Sequence, residues 1–288
     1  MTVSAIKGYR SALAQVFRFK NIDISNSTEL SALLKNFEQE IPKTVSSPPQ
    51  WDLNLVLNSL RSSPYEPIHL SSMRHLTLKT VFLLALASAK RVSELHGLSH
   101  IVSHSSHWKS VTLQFAPDFV AKTQIPGRPE TSYGPIVLPA LSQILDRQDD
   151  DMVLCPIRSL REYLRRTESS RPTCPRLFIS TNTKKPRSIV KNTISYWIRK
   201  VILSAYKTAN SDQIDIVKVK AHEVRALATS LAFSRSMSLN DVMSAASWRC
   251  RTTFVSHYLR DCTHTYMDTS RLGPIVAAQQ LVKRKPQH

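Results

Sequence analysis

Ser71–Leu98 reads SSMRHLTLKTVFLLALASAKRVSELHGL, and its first part sets the architecture. Leu76, Val81, Leu84 and Ala87 recur at helical spacing, so a helix is predicted over about Ser71–Ala89 with a strongly apolar face that should be buried. Directly after it, Arg91-Val-Ser-Glu94-Leu-His-Gly-Leu98 places a charged pair three residues apart while Leu95 and Leu98 face inward. Taken alone, such an arginine with an acidic partner reads as a structural salt bridge.

Outward from this helix the pattern stays helical. On the N-terminal side, helices are predicted over about Val3–Lys20, Ser27–Gln39 and Asp52–Ser62. Ile6, Tyr9, Leu13, Val16 and Phe17 give the first of these the spacing of a packed amphipathic helix, which is preferred over a presequence despite the basic, acid-free start. IPKTVSSPPQ, Ile41–Gln50, carries three prolines and no apolar periodicity and marks a boundary. The expected organisation is a partial helical domain over 1–46, a linker over 47–51, the main domain over 52–266 and a tail over 267–288.

On the C-terminal side, strands are expected over Ser110–Phe115 and Gly134–Leu138, forming a small sheet edge or long hairpin. Helices follow at about Ser159–Thr167 and Ile189–Ala209. Ser238-Leu-Asn-Asp241 forms a capping box ahead of Val242–Ala246. Thr252 is a plausible N-cap for Phe254–Leu259, and Gly273-Pro274 precedes a short apolar helix over Ile275–Val282. The fold class is therefore mainly α with a minor antiparallel β element.

Composition narrows the function. The 288 residues hold 39 Lys+Arg against 21 Asp+Glu, a formal charge of +18, which points to a polyanion as partner. The five glycines form no G-x-G-x-x-G and no P-loop, so dinucleotide and NTP folds are disfavoured. No apolar run approaches the ~18 residues of a membrane span. Cys155, Cys174, Cys250 and Cys262 form no C-x-x-C pair, and reduced intracellular thiols are expected. Cys250, His257, Cys262 and His264 fit none of the usual zinc spacings, so no metal site is expected.

Two further polar islands stand where core or bland surface is otherwise expected. Lys220-Ala-His222-Glu-Val-Arg225 opens a helix whose Val224, Leu227, Ala228 and Leu231 form the core side, with His222 and Arg225 as i, i+3 neighbours. The other is Ala-Ser-Trp248 through Tyr258-Leu-Arg-Asp261. In this order the residues resemble the tyrosine recombinase (integrase) family. Arg91 matches the first arginine, His222 and Arg225 the His-x-x-Arg motif, Trp248 the His/Trp position and Tyr258 the nucleophile. ASAKRVSELHGLS and AASWRCRTTFVSHYLRD look most like recombinases of DIRS-type retrotransposons and related mobile elements. The resemblance spans about Asp52–Asp261.

The resemblance implies metal-independent strand cleavage without cofactor or small-molecule substrate, through a covalent 3′-phosphotyrosine. Fixed guanidiniums suit a phosphodiester transition state, since each matches its nonbridging oxygens with charge-assisted bonds. Tyr258 needs a base because a phenol ordinarily ionises near pH 10, and His222 is that base as the family implies. Trp248 can donate only its indole N–H to a phosphate oxygen. Lys122, in the hairpin stretch FVAKTQIPG, matches the lysine that protonates the leaving 5′-oxygen. Glu94 supports Arg91, and His257 receives no role.

Three features depart from the family pattern. Trp248 and Tyr258 are ten residues apart where bacterial and phage relatives have nine. Ala89 replaces a common glycine, which predicts a more helical approach to Arg91. The N-terminal module corresponds to only the last helices of a core-binding domain. Lys7, Arg10, Arg18, Lys20, Lys184, Lys185 and Arg187 are expected to contact the phosphates of double-stranded DNA, with a further basic cluster at Arg161, Arg165 and Arg166. A homotetramer on DNA, joined through the apolar tail Ile275–Val282, follows from the resemblance, and Lys283-Arg-Lys285 agrees with a nuclear location. The competing expectations are a catalytically silent DNA-binding protein reusing the fold and a type IB topoisomerase-like enzyme; an RNA-binding module ranks lower, for want of an RNP or GXXG pattern.

Overall fold

Thirteen consecutive residues, Leu76–Ser88, are buried in α4 (Met73–Ser88), so this helix is enclosed all round and not along one stripe alone. The computed structural model describes residues 3–40, 51–122, 124, 134–143, 150–171, 174–180, 186–209, 219–234 and 238–245. These divide into two compact units, Met1–Val45 and Ser46–His288.

In the first unit, α1 (Val3–Arg18) lies against α2 (Thr28–Glu40). Ala14 and Leu34 are its buried side chains, and Lys7 Nζ pairs with Glu38 at 2.9 Å while Arg10 donates to Ser31 Oγ at 3.3 Å. The expected packed stripe on α1 is corrected here: Tyr9, Leu13 and Val16 are exposed.

In the second unit, Asp52 caps α3 (Leu53–Leu60) by accepting from Asn54 N–H at 2.8 Å, and Ser72 caps α4 through His75 N–H at 3.3 Å. Around α4 pack α6 (Pro156–Thr167), α7 (Lys191–Thr208) and α8 (Glu223–Ser234); α5 (Val92–His96) sits against α7, and α9 (Leu239–Ala245) against α8. Each presents a small apolar face: Ile194, Ile198, Val201 and Ile202 on α7, and Val224, Leu227, Ala228 and Leu231 on α8. This arrangement explains why α4 carries apolar residues all round its circumference and not along one stripe.

The buried charge within α4 is Lys79. Its ammonium donates to Glu66 Oε1 at 2.5 Å and to the Leu60 carbonyl at 2.8 Å. Arg158 of α6 forks onto the same carboxylate at 2.6 and 3.0 Å. Burial pushes the Lys79 ammonium down to about 8, although Glu66 works against it. Burial alone would raise Glu66, but the bonds from Arg158 and Lys79 hold it below the ordinary carboxylate value.

The sheet has three antiparallel strands in the order β1 (Leu98–His104), β2 (Ser110–Phe115), β3 (Ile136–Pro139). Val111 faces Leu138 and Leu113 faces Ile136, and all four are buried, which fixes the core face by period-two alternation. The expected pairing of two strands is present, with β1 added at the edge of β2.

Candidate functional site

The turn that ends α4 sets the site. Ala89 closes the helix with φ 50° and ψ 27°, in the left-handed region that glycine usually occupies. Its N–H still donates to the Ala85 carbonyl at 3.1 Å. The expectation of a more helical approach to Arg91 is therefore corrected: the chain turns sharply despite the methyl group, and Arg91 emerges extended, at φ −68° and ψ 155°, as the N-cap of α5.

Glu94 then accepts from both ends of Arg91. Its Oε2 takes the Arg91 backbone N–H at 2.8 Å and its Oε1 takes Arg91 Nη1 at 2.6 Å. From α8, Arg225 Nη1 donates to the same Oε2 at 3.4 Å. Glu94 and Arg225 are 1% and 3% exposed on their side chains, and Arg91 is 21% exposed, so the carboxylate sits inside while one guanidinium reaches the surface. Two guanidiniums and one carboxylate leave an excess positive charge held in low dielectric, where an oxyanion is strongly attracted.

The other expected residues are placed as follows. His222 lies in the turn immediately before α8 and is exposed, whereas Arg225, three residues on, is buried. Lys122 is exposed in the connection between β2 and β3 and makes no hydrogen bond or ion pair among the described residues. Trp248, Tyr258, Lys184 and Lys185 lie outside the described residues. Lys7 and Arg10 are engaged by α2, whereas Arg18, Lys20 and Arg187 are exposed. On α6, Arg165 pairs with Glu162 of its own helix and stays exposed, whereas Arg166 donates to the Ser71 carbonyl and ties the helix to the residue before the α4 cap.

Three supporting groups escaped the sequence reading. Glu223 accepts from Lys220 N–H at 3.2 Å and from Trp51 Nε1 at 2.9 Å, fixing the entry to α8 just ahead of Arg225. Its signal was the acid three residues after Lys220, a capping-box spacing. His96 bonds the Ile189 carbonyl at 2.8 Å and ties α5 to the start of α7. Arg176 spans the Gly97 carbonyl and Asp118, holding the exit of α5 to the loop after β2. Only the fold brings the last two to their partners, and nothing in their local sequence marks them.

No family model matches the chain, and no curated protein matches it. Among solved structures it is similar to a XerA recombinase, with a TM-score of 0.46 and 14% identity over 100% of this chain and 84% of that one. It is also similar to a lambda integrase, solved as a tetramer bound to a Holliday junction, with a TM-score of 0.42 and 14% identity over 90% of this chain and 60% of that one.

Proposed function

We propose that this chain is a DNA strand-cleaving and rejoining protein of the tyrosine recombinase type, encoded by a mobile element and acting through a 3′-phosphotyrosine. The observation that carries the reading is the meeting of Arg91 and Arg225, from separate islands of the sequence, on the buried carboxylate of Glu94. It joins the order of motifs from Arg91 through His222 and Arg225 to Trp248 and Tyr258.

In this reading the two guanidiniums hold the nonbridging oxygens of the scissile phosphate, and Glu94 fixes their direction. Tyr258 Oη attacks phosphorus, forming the Tyr–phosphate bond as the bond to the 5′-oxygen breaks. The phenolic proton passes to His222, and Lys122 gives a proton to the departing oxygen. Trp248 donates its indole N–H to the phosphate. A 5′-hydroxyl from a second strand reverses the step, so the bond is exchanged with no net hydrolysis. The N-terminal unit acts as the partial core-binding domain, four subunits assemble on DNA through the 267–288 tail, and the protein works in the nucleus.

Covalent capture tests it: incubation with nicked duplexes in EDTA, denaturation and mass spectrometry should find a nucleotide on the peptide containing Tyr258. Arg91→Ala and Arg225→Ala should each lower cleavage on the order of 10²-fold or more. Tyr258→Phe should abolish the adduct and spare binding; cleavage undiminished in that variant overturns the nucleophile. Salt-sensitive DNA binding with no adduct would instead support the silent DNA-binding reading.

A further inference from the structure

A basic concavity lies between the start of α4 and the first half of α7, and none of Arg91, Glu94 and Arg225 lines it. Its volume is about 520 Å³, which falls within the size of small-molecule sites. Arg74, Arg187 and Lys200 converge on it, and no carboxylate among the described residues lines it. None of the three cations forms a salt bridge among the described residues. Three like charges around one hollow repel each other, and an anion is the ligand that relieves this.

The remaining lining narrows the anion. Ser188 and Thr193 supply hydroxyl donors beside the cations, a set that suits phosphate oxygens. Tyr196 and Trp197 supply flat apolar faces next to them, and Tyr196 is 52% exposed with the Lys200 ammonium 5.8 Å from its ring centroid. A ligand that uses both halves carries a phosphate and a planar ring. We propose that this pocket binds a nucleotide, its phosphate held by Arg74, Arg187 and Lys200 and its base against Tyr196 and Trp197.

The nucleotide has two sources, a free mononucleotide or one unit of a DNA strand; the second rests on the DNA reading above and the first does not. The test follows the Trp197 indole N–H resonance while the full chain is titrated with deoxyadenosine monophosphate and, separately, with a short duplex. A saturable shift with the mononucleotide is expected, weakened at least about tenfold in Arg74→Gln/Lys200→Gln and unchanged in Lys109→Gln, a surface cation outside the pocket. A shift with the duplex only, lost in the double variant, assigns the pocket to a strand phosphate. Arg74 is exposed and Lys200 half-buried, and a wild-type titration needs no variant to read.

No shift with either probe overturns the proposal, as does a shift that survives the double variant unchanged. A response to poly-glutamate alone overturns it too, by making the pocket a site for acidic peptide. A Tyr258 adduct with no Trp197 response would sink this pocket and leave the recombinase reading standing, while a mononucleotide response without any adduct would do the reverse.

Discussion

At φ 50°, Ala89 bears a methyl group in a conformation that costs an L-residue about 1 kcal/mol or more. Ala89→Gly relieves that strain while losing a buried methyl, so its net effect on stability should stay within about 1 kcal/mol. Ala87→Gly, inside α4, has no strain to relieve and should cost about 1–2 kcal/mol from helix propensity and burial. Urea midpoints of the two variants compare them directly, and equal losses would overturn the account. Lys79 gives a pH signature. Its ammonium releases its proton near pH 8 when folded and near the ordinary 10.5 when unfolded. The unfolded chain therefore holds more protons between those values, and this group makes stability rise as pH climbs from about 8 toward 10.5. Subtracting the Lys79→Met profile from the wild type should isolate a positive slope there. Neither residue was legible in sequence: an alanine carries no mark of a left-handed turn, and a lysine in an apolar run reads as a solvated interruption until Glu66 and Arg158 are seen beneath it.

At the scale of elements, α3, α4 and α7 were legible because their apolar residues recur at helical spacing and Asp52 and Ser72 cap two of them. Strand β2 was legible by its alternation. Strand β1 was not, because Leu98–His104 carries two histidines and two serines, and its C-terminal half lies on the open edge of the sheet, where alternation no longer reports burial. The join between α5 and β1 depends on Gly97. A Cβ there would overlap the ring of Phe119, which stacks on Phe115 with centroids 4.9 Å apart. Gly97→Ala should push that ring off its stack and cost about 1–3 kcal/mol, read by thermal melting. The site was legible as residue types in order; the carboxylate shared between two arginines required the docking of α8, which no local pattern encodes.

For the whole molecule, 39 basic against 21 acidic side chains favour a polyanionic partner, and on the DNA reading proposed above affinity is a matter of counterion release. With six to ten phosphate contacts, binding of a duplex should fall roughly 10³ to 10⁵-fold between 50 and 200 mM salt, and a flat salt response in an electrophoretic or anisotropy assay would rule out the polyanion reading. The carboxylate of Glu94 carries a further consequence at this scale. Its two arginine partners are separated by most of the second unit, Glu94 and Arg225 standing 131 positions apart in the sequence. During synthesis the chain makes Arg91 and Glu94 first, and for all the time that α6 and α7 are being added the carboxylate has one guanidinium. The pair is completed only when α8 has left the ribosome and docked on α4. A nascent or half-folded chain thus carries its excess of basic side chains before two guanidiniums stand side by side on that carboxylate. Completion of the tertiary structure is itself the condition for the two-arginine site.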